Sequence, residues 1–389
     1  MRLDLAVAVL CLAVTLAVAA CTGNDSGAVP ADAADAAVVD TGQAQVDSSL
    51  SGEDSGSDAG NLSDAFAGDC GAGVFGEPTD LSCTGLYADF ASKTVASDVQ
   101  AYVPGLALWS DGALKARWIY LPPGQKIDTS NMDGWTFPVG TKIWKEFSLP
   151  LADASPPTRI ETRLLWKQAA GTWVRTTYRW SADGDAYATE LTFGELDAGG
   201  TGYEVPPGSL CNSCHDGARD GVLGFEAVAL ALPSASGVTL QTLIAQGLLT
   251  TPPATPIGIP GNATEATALG WLHVNCGTAC HNPDGEASST RFFMRLDVST
   301  LSSVQSTNAY ATGWNQQTQG FTIPDAAVTY RLHACDVSSS CAYYRASRRT
   351  GPGTWSGVQM PPFDSHRVDE AGVAAVAAWL DEGCDAGAD

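Results

Sequence analysis

Two short clusters of cysteine and histidine are the residues of this chain best suited to chemistry. The first is Cys211-Asn212-Ser213-Cys214-His215, in which two residues separate the thiols and an imidazole follows directly. At this spacing the thiols can add to the vinyl groups of a haem, while the histidine reaches the iron from the proximal side. A zinc site would need further Cys or His at finger-like spacing, and a small disulfide loop would give no reason for the histidine. The spacing therefore favours covalent haem c at Cys211 and Cys214, with His215 as an iron ligand.

A second cluster of the same residue types is Cys276-Gly277-Thr278-Ala279-Cys280-His281. It has three residues between the thiols instead of two, so its loop is one residue longer. Because a histidine again follows the second thiol, we expect a second haem at Cys276 and Cys280, with His281 on its iron. The alternative is a disulfide between these two cysteines in a site that has lost its haem.

The composition limits the classes of partner. With 389 residues the chain is long enough for about two or three domains. Its formal net charge of -23 argues against nucleic acid as a partner, because nucleic-acid binding needs a basic surface. Its eleven cysteines have a meaning that depends on the cellular compartment.

The amino terminus predicts export. Residues 1–20 contain Arg2 and then an apolar run that is short for a membrane span and typical of a secretory signal peptide. The run ends in Val18-Ala19-Ala20-Cys21, which resembles the lipobox of bacterial lipoproteins and implies that Cys21 carries a lipid. Because Thr22 follows rather than an aspartate, the resemblance implies an outer-membrane anchor facing the periplasm. The alternative is an ordinary signal peptide cleaved nearby. Export agrees with haem attachment, which takes place outside the cytoplasm.

A long acidic segment follows the signal. Residues 22–69 contain no Lys or Arg and carry ten acidic side chains among small and polar residues. Such a composition cannot form a core, so we expect residues 21–69 to be a disordered linker, with a reach on the order of 35 to 40 Å. Because the linker holds much of the negative charge, the total charge is weak support for a basic redox partner protein.

Residues 70–205 predict a β-rich domain. Runs of alternating apolar and polar residues, bounded by Gly, Pro and Asp, are centred on residues 115–121, 142–147, 159–166 and 172–180. This spacing predicts an all-β antiparallel sandwich or barrel. Its aromatic residues favour one buried face of a sheet over a face that binds a ligand.

A mainly α-helical region follows. Residues 206–260 form a first haem-binding segment, too short to be a domain by itself, and residues 261–389 predict one cytochrome c-like domain. Asn262 and Glu265 predict a capping box at the start of the helix that enters the second cluster. Asp369 predicts the start of a terminal helix with Val373, Val376 and Leu380 on one face.

Distal iron ligands are harder to identify. Met360 precedes two prolines just before the terminal helix, a context that resembles the distal-ligand loop of cytochromes c and implies ligation of the second iron. Its alternative is an ordinary filler of a core gap. For the first iron the candidate is His273, although a lone histidine is more often structural. Weaker candidates are His333, His366 and Met294.

The remaining cysteines predict disulfides in an oxidising compartment. Cys70 and Cys83 bracket a short loop, so we expect them to pair. Cys335 and Cys341 are close in sequence and are also expected to pair, which leaves Cys384 over.

Several blocks of the sequence together resemble a known family. They are Trp109–Gly112, Arg117–Pro122, Phe137–Thr141, Arg159–Leu164, Cys211–His215 and Leu269–Cys276. In this order they resemble a largely uncharacterised family of bacterial dihaem c-type cytochromes, over roughly residues 100–384. The resemblance implies haem and electron transfer but no known substrate. In that family the second cluster normally has two residues between the cysteines, and this chain departs from the pattern there. The two flanking helices resemble those of class I cytochromes c, which implies that Gly270 lets Trp379 approach.

Three classes of function remain. The first is a lipid-anchored dihaem carrier that transfers electrons to a redox partner protein. The second is a haem enzyme, such as a dihaem peroxidase or an oxidase subunit, with one iron open to substrate. The third is a binding module in which the haems only brace a small fold.

Overall fold

The computed structural model describes residues 70–73, 75–151, 156–319, 328–350 and 357–384. The predictions for the signal peptide, for Cys21 and for the linker at residues 21–69 lie outside these ranges. No helix among the described residues combines the length and the apolar character that crossing a bilayer requires.

The first part of the described chain is built on an antiparallel sheet. Its strands are β1 (Tyr87–Asp89), β2 (Thr94–Val95), β3 (Gln100–Val103), β4 (Leu114–Tyr120), β5 (Lys142–Leu149), β6 (Thr158–Ala169), β7 (Thr172–Trp180), β8 (Ala188–Glu190) and β9 (Ser236–Gly237). β4 to β7 lie where the alternating runs predict strands, so the β-rich region is confirmed.

The strands form an open sheet rather than a sandwich or a barrel. Seven described strands pair in the order β8-β7-β6-β5-β4-β3-β9, and β1 and β2 pair separately. The linear order leaves β8 and β9 at opposite edges. Alternation in the sequence shows that a face is buried, but it does not show what covers the face. Here one cover includes only the small β1–β2 pair, and the other consists of short helices and loops. This is why the prediction of a sandwich or barrel was wrong.

The two faces of the sheet have different covers. On the first face Trp144, Leu164 and Tyr178 pack against the segment at residues 81–99. On the second face Ile119, Ile143 and Leu165 pack against residues 222–249. Burying each such side chain stabilises the fold by roughly 1.5 to 3 kcal/mol. The second face, called the cavity face below, therefore joins the sheet to the segment that follows the first cysteine cluster.

The second part of the described chain is helical. Its α-helices are α1 (Cys211–His215), α2 (Ala227–Ala231), α3 (Leu240–Ala245), α4 (Ala263–Leu272), α5 (Asn308–Gly313), α6 (Cys341–Ala346) and α7 (Glu370–Glu382). The capping box of Asn262 and Glu265 opens α4, as expected. Asp369 caps α7 by accepting a hydrogen bond from the Gly372 amide.

α4 and α7 pack together, but through residues other than those expected. A side chain at Gly372 on α7 would overlap the indole of Trp271 on α4, and the Trp271 Nε1 donates to Asp369 Oδ2 at 2.7 Å. A side chain at Gly270 would instead meet Leu106. Trp379 packs against Trp314 with the rings tilted by 37° and their centroids 4.7 Å apart. The close contact is therefore made by a glycine on α7 and a tryptophan on α4, whereas the prediction placed the glycine on α4 and the tryptophan on α7.

One predicted disulfide is confirmed and the other is wrong. Cys70 pairs with Cys83, with the Cα atoms 5.7 Å apart. Cys335 pairs with Cys384 instead of Cys341, with the Cα atoms 4.9 Å apart. Cys341 begins α6 and is buried. The prediction was wrong because the terminal helix α7 brings Cys384 next to Cys335, and distance along the sequence does not show this contact.

Non-reducing peptide mapping of the exported protein should yield a cross-linked pair of peptides that contains Cys335 and Cys384. Cys384→Ser should lower the free energy of unfolding by about 4 kcal/mol, because a chain segment of 49 residues regains its freedom in the unfolded state. A peptide that joins Cys335 to Cys341 would contradict this pairing.

Candidate haem-binding cavity

Both cysteine clusters line one cavity between the cavity face of the sheet and the helical region. The volume of the cavity is about 280 Å³. The predicted site residues on its walls are Cys211, Cys214, His215, Cys276, Cys280, His281 and Met360. The fold thus brings together seven of the eight site residues that the sequence predicted, from three separate stretches of chain.

The first cluster forms a single helical turn that directs its histidine. Residues Cys211–His215 are α1, so the two thiols and the imidazole lie along one short helix. His215 Nδ1 lies 2.7 Å from the Gly221 carbonyl oxygen. This contact places the ring proton on Nδ1 and leaves Nε2 as the nitrogen that can bind iron. Burial lowers the pKa of His215 to about 3, so the imidazole is neutral, as a metal ligand must be.

The second cluster absorbs its extra residue in a wider turn. Residues His273–Gly277 form a π-helical turn, and the His281 amide donates to the Cys276 carbonyl, five residues back, at 2.8 Å. His281 Nδ1 lies 3.0 Å from the Phe292 carbonyl oxygen, which repeats the arrangement at His215. Burial lowers the pKa of His281 to about 4. The longer spacing therefore changes the turn and keeps the histidine geometry.

The two clusters touch through their backbones. A side chain at Gly217, two residues after His215, would overlap the carbonyl oxygen of Ala279 within the second cluster. The thiols also interact, because Cys280 contributes to the raised pKa of Cys214, whose main cause is burial. Two groups attached to these clusters would accordingly be close neighbours.

Charged residues of the sheet hold the first cluster in place. Arg175 on β7 donates to Asn212 Oδ1 at 2.6 Å and forms an ion pair with Asp216 at 3.0 Å. The buried Lys167 on β6 pairs with Asp220 at 2.7 Å. Asp220 also accepts from the Phe137 amide at 2.6 Å. These contacts were not predicted from the sequence. The signal for them is the presence of charged residues inside strands that are rich in aromatic residues.

A second set of contacts fixes the loop that carries Met360. Arg345 on α6 donates to the carbonyl oxygens of Val358 and Gly357, at 3.1 and 2.8 Å, and its own carbonyl accepts from the Met360 amide at 3.0 Å. The charge of Arg345 also helps to lower the pKa of His281, after burial, so the loop lies near the second histidine. Beyond Met360, the buried Asp111 accepts from the His366 amide at 2.7 Å.

His273 lies outside this cavity. Its Nδ1 accepts from the Leu296 amide at 3.0 Å, and its Nε2 lies 3.4 Å from Glu226 Oε1. Both ring nitrogens of His273 therefore have partners within the protein, which argues against the prediction that His273 binds the first iron. The contacts of His273 favour the alternative, in which this histidine has a structural role.

The weaker candidates for a ligand of the first iron, His333, His366 and Met294, lie in different surroundings. His333 contacts Ser339 and stacks on Tyr330, and His366 Nε2 contacts Glu204. Met294 is buried and does line the cavity. Its amide donates to the carbonyl of His281 at 2.8 Å, so it belongs to the surroundings of the second cluster rather than the first.

The donor groups of the cavity fit a haem better than a zinc ion. Cys211, Cys214, Cys276 and Cys280 are free thiols, so the disulfide alternative for the second cluster is not formed. Burial raises the pKa of Cys276 and of Cys280 to about 12. Within the described ranges, no three Cys, His, Asp or Glu side chains are placed to hold a metal ion. A haem iron takes its equatorial ligands from the porphyrin, so one histidine per cluster is sufficient.

Comparison of the chain with protein-family models, with curated proteins and with solved structures finds no match. The resemblance to dihaem c-type cytochromes therefore remains a proposal that depends on the residues and the geometry given above.

Gly217→Ala should destabilise the holoprotein by roughly 1 to 3 kcal/mol or more, because the added methyl group overlaps backbone rather than a movable side chain. Thermal or denaturant unfolding measures the change. Gly258→Ala is the matched control, since a side chain there meets no heavy atom within 4 Å. Equal stability of the two variants would show that the clusters do not touch in solution.

Proposed function

We propose that this chain is an exported, lipid-anchored dihaem c-type cytochrome that transfers electrons. The observation that carries the proposal is that two Cys-Cys-His clusters line one cavity, each with its histidine Nδ1 bonded to a backbone carbonyl. A haem iron held in this way cycles between its ferrous and ferric states and passes single electrons.

The contact between the clusters supports electron transfer as the function of the pair. Gly217 lies against Ala279 with no room for a side chain, so no protein layer separates the two attachment sites at this point. Haems attached there would exchange electrons over a short path. A fold that used haem only as a brace would not need the two clusters in one cavity, which is why we set the binding-module class aside.

Export and anchoring are proposed on the sequence alone. The support is the apolar segment within residues 1–20 and the lipobox-like residues that end at Cys21. The disulfide at Cys70 and Cys83 and that at Cys335 and Cys384 agree with an oxidising compartment. On this proposal the protein is attached to the outer membrane, faces the periplasm and exchanges electrons with a redox partner protein.

Intact mass should count two covalent haems on the mature protein made with a functioning maturation system. Replacing Cys211 and Cys214 by Ala should remove one haem, and replacing Cys276 and Cys280 should remove the other. Cys341→Ala is the control, because Cys341 also lines the cavity but lies outside both clusters, so both haems should remain. A colourless protein with no mass beyond polypeptide and lipid would refute the proposal, and a loss of haem mass in only one of the two double variants would limit it to a single site.

Met360 is proposed as the distal ligand of the second iron. It lines the same cavity as His281, and Arg345 links its loop to the surroundings of that histidine. A thioether ligand raises the reduction potential of a haem.

Met360→Ala should convert one haem of the oxidised protein from low spin to high spin and lower its reduction potential, because the iron loses its thioether ligand. Electron paramagnetic resonance and a redox titration measure these changes. Met132→Ala is the control, since Met132 packs, partly buried, against the core on the cavity face and is not among the residues that line the cavity. An unchanged spectrum would show that Met360 is a packing residue.

A haem enzyme is the second candidate, and the position of His273 favours it. With both ring nitrogens of His273 engaged elsewhere, the structure brings no predicted histidine to the distal side of the first iron. An open iron could react with a substrate such as peroxide. In the same resonance measurement, a high-spin signal from the unmodified protein, together with rapid consumption of peroxide, would favour the enzyme over the carrier.

A further inference from the structure

Three basic residues lie side by side on the cavity face of the sheet. In the strand register, Arg117 on β4 is opposite Lys145 on β5, which is opposite Arg163 on β6, and Thr177 on β7 completes the row. Residues in such positions have Cβ atoms about 5 Å apart, and like charges there destabilise a sheet. The row, called the cross-strand row below, therefore needs negative charge near it.

The protein neutralises only part of this row. Arg163 donates to both carboxylate oxygens of Glu161, at 2.8 and 2.6 Å, and Glu161 also accepts from the Tyr203 hydroxyl at 2.7 Å. Within the described parts of the chain, the side chains of Lys145 and Arg117 form neither a hydrogen bond nor an ion pair, although both residues take part in the strand ladder. The Lys145 ammonium does lie over the ring of Phe147, 4.9 Å from its centroid.

Lys145 faces the cavity. Its side chain lines the wall together with Arg163 and Arg175. All three charges help to lower the pKa of His215, after burial, so they lie near the first cluster. Burial, followed by the neighbouring cations, lowers the pKa of Lys145 itself well below its usual range.

The cavity as a whole concentrates basic residues. The chain has 20 Lys and Arg against 43 Asp and Glu. The described lining includes six basic side chains and five acidic ones, namely Lys145, Arg163, Arg175, Arg331, Arg345 and Arg349 against Asp111, Glu204, Glu286, Asp364 and Asp369. In so acidic a chain, this local excess points to an occupant that supplies negative charge.

The direction of the row matches the shape of a haem. Arg175 holds the first cluster against β7, two residues from Thr177, and the row runs from Thr177 across β6 to Lys145 on β5, a distance of about 10 Å at two strand spacings. This is comparable with the width of a porphyrin. The carboxylate side chains of a haem, its propionates, lie at the edge away from the vinyl groups that bond to cysteine.

We propose that Lys145 forms the carboxylate-binding position for the first haem, where its ammonium pairs with a propionate and neutralises the cross-strand row. This inference depends on the proposed function, and it adds the residue that sets the orientation and the potential of that haem. A cation beside a haem favours the reduced form, because the iron carries less positive charge after it gains an electron.

The test is a redox titration of the holoprotein with Lys145→Gln, Lys145→Arg and the unmodified chain. Lys145→Gln should lower the midpoint potential of one haem, the one that Met360→Ala does not affect. Lys145→Arg should restore most of the potential, because it keeps the charge. The exposed Lys126→Gln makes the same change of charge outside the cavity, and its potentials should equal those of the unmodified chain.

Several outcomes would overturn the inference. An unchanged potential in Lys145→Gln would show that no propionate depends on Lys145. A change from low to high spin in both Lys145→Gln and Lys145→Arg would show that Lys145 is an iron ligand instead, since arginine can replace its charge but not its amine. Intact mass of each variant counts its haems. Absence of haem from the unmodified chain would refute the proposed function. A different result, in which only Lys145→Gln loses haem while Lys145→Arg keeps both haems and the original potentials, would support the proposed carboxylate-binding position at Lys145.

Discussion

The close contact between Gly217 and the Ala279 carbonyl is the constraint on which the rest of the site depends. Because no side chain fits between them, the two cysteine clusters have to share one cavity instead of occupying two separate pockets. The sheet provides one wall of that cavity, and the loop that carries Met360 provides another. A carbonyl oxygen cannot move aside as a flexible side chain can, so the backbone itself sets the distance between the clusters.

The sheet does more than support the helical region. Its first face is filled by aromatic residues and closes on residues 81–99, which makes it a conventional core. Its cavity face is divided, with apolar residues at both ends and the cross-strand row between them. Arg175 reaches the first cluster from this face, and Lys167 holds Asp220 a few residues after His215. The β-rich region thus forms part of the cavity wall and contacts the segment that carries the first cysteine cluster.

The charges of the molecule are distributed unevenly for a physical reason. Ten of the 43 acidic side chains are in residues 22–69, a segment of the sequence without Lys or Arg. Basic side chains are few, yet a group of them surrounds the cavity, where burial makes unpaired charge costly. On the proposal made above, the propionates of a haem would offset the remaining repulsion, which would tie the electrostatics of the sheet to the chemistry of the clusters.

The sequence by itself determined the local features. The strands β4 to β7, the capped starts of α4 and α7, the disulfide at Cys70 and Cys83, and the cysteine and histidine clusters all follow from neighbours within a few residues, where spacing and chain geometry decide the outcome. Only the tertiary structure decided the partner of Cys335, the engagement of His273 and the convergence of Arg117, Lys145 and Arg163. Each of these depends on strand register or on contacts between residues far apart in sequence, and periodicity along the chain carries no information about which distant segments meet.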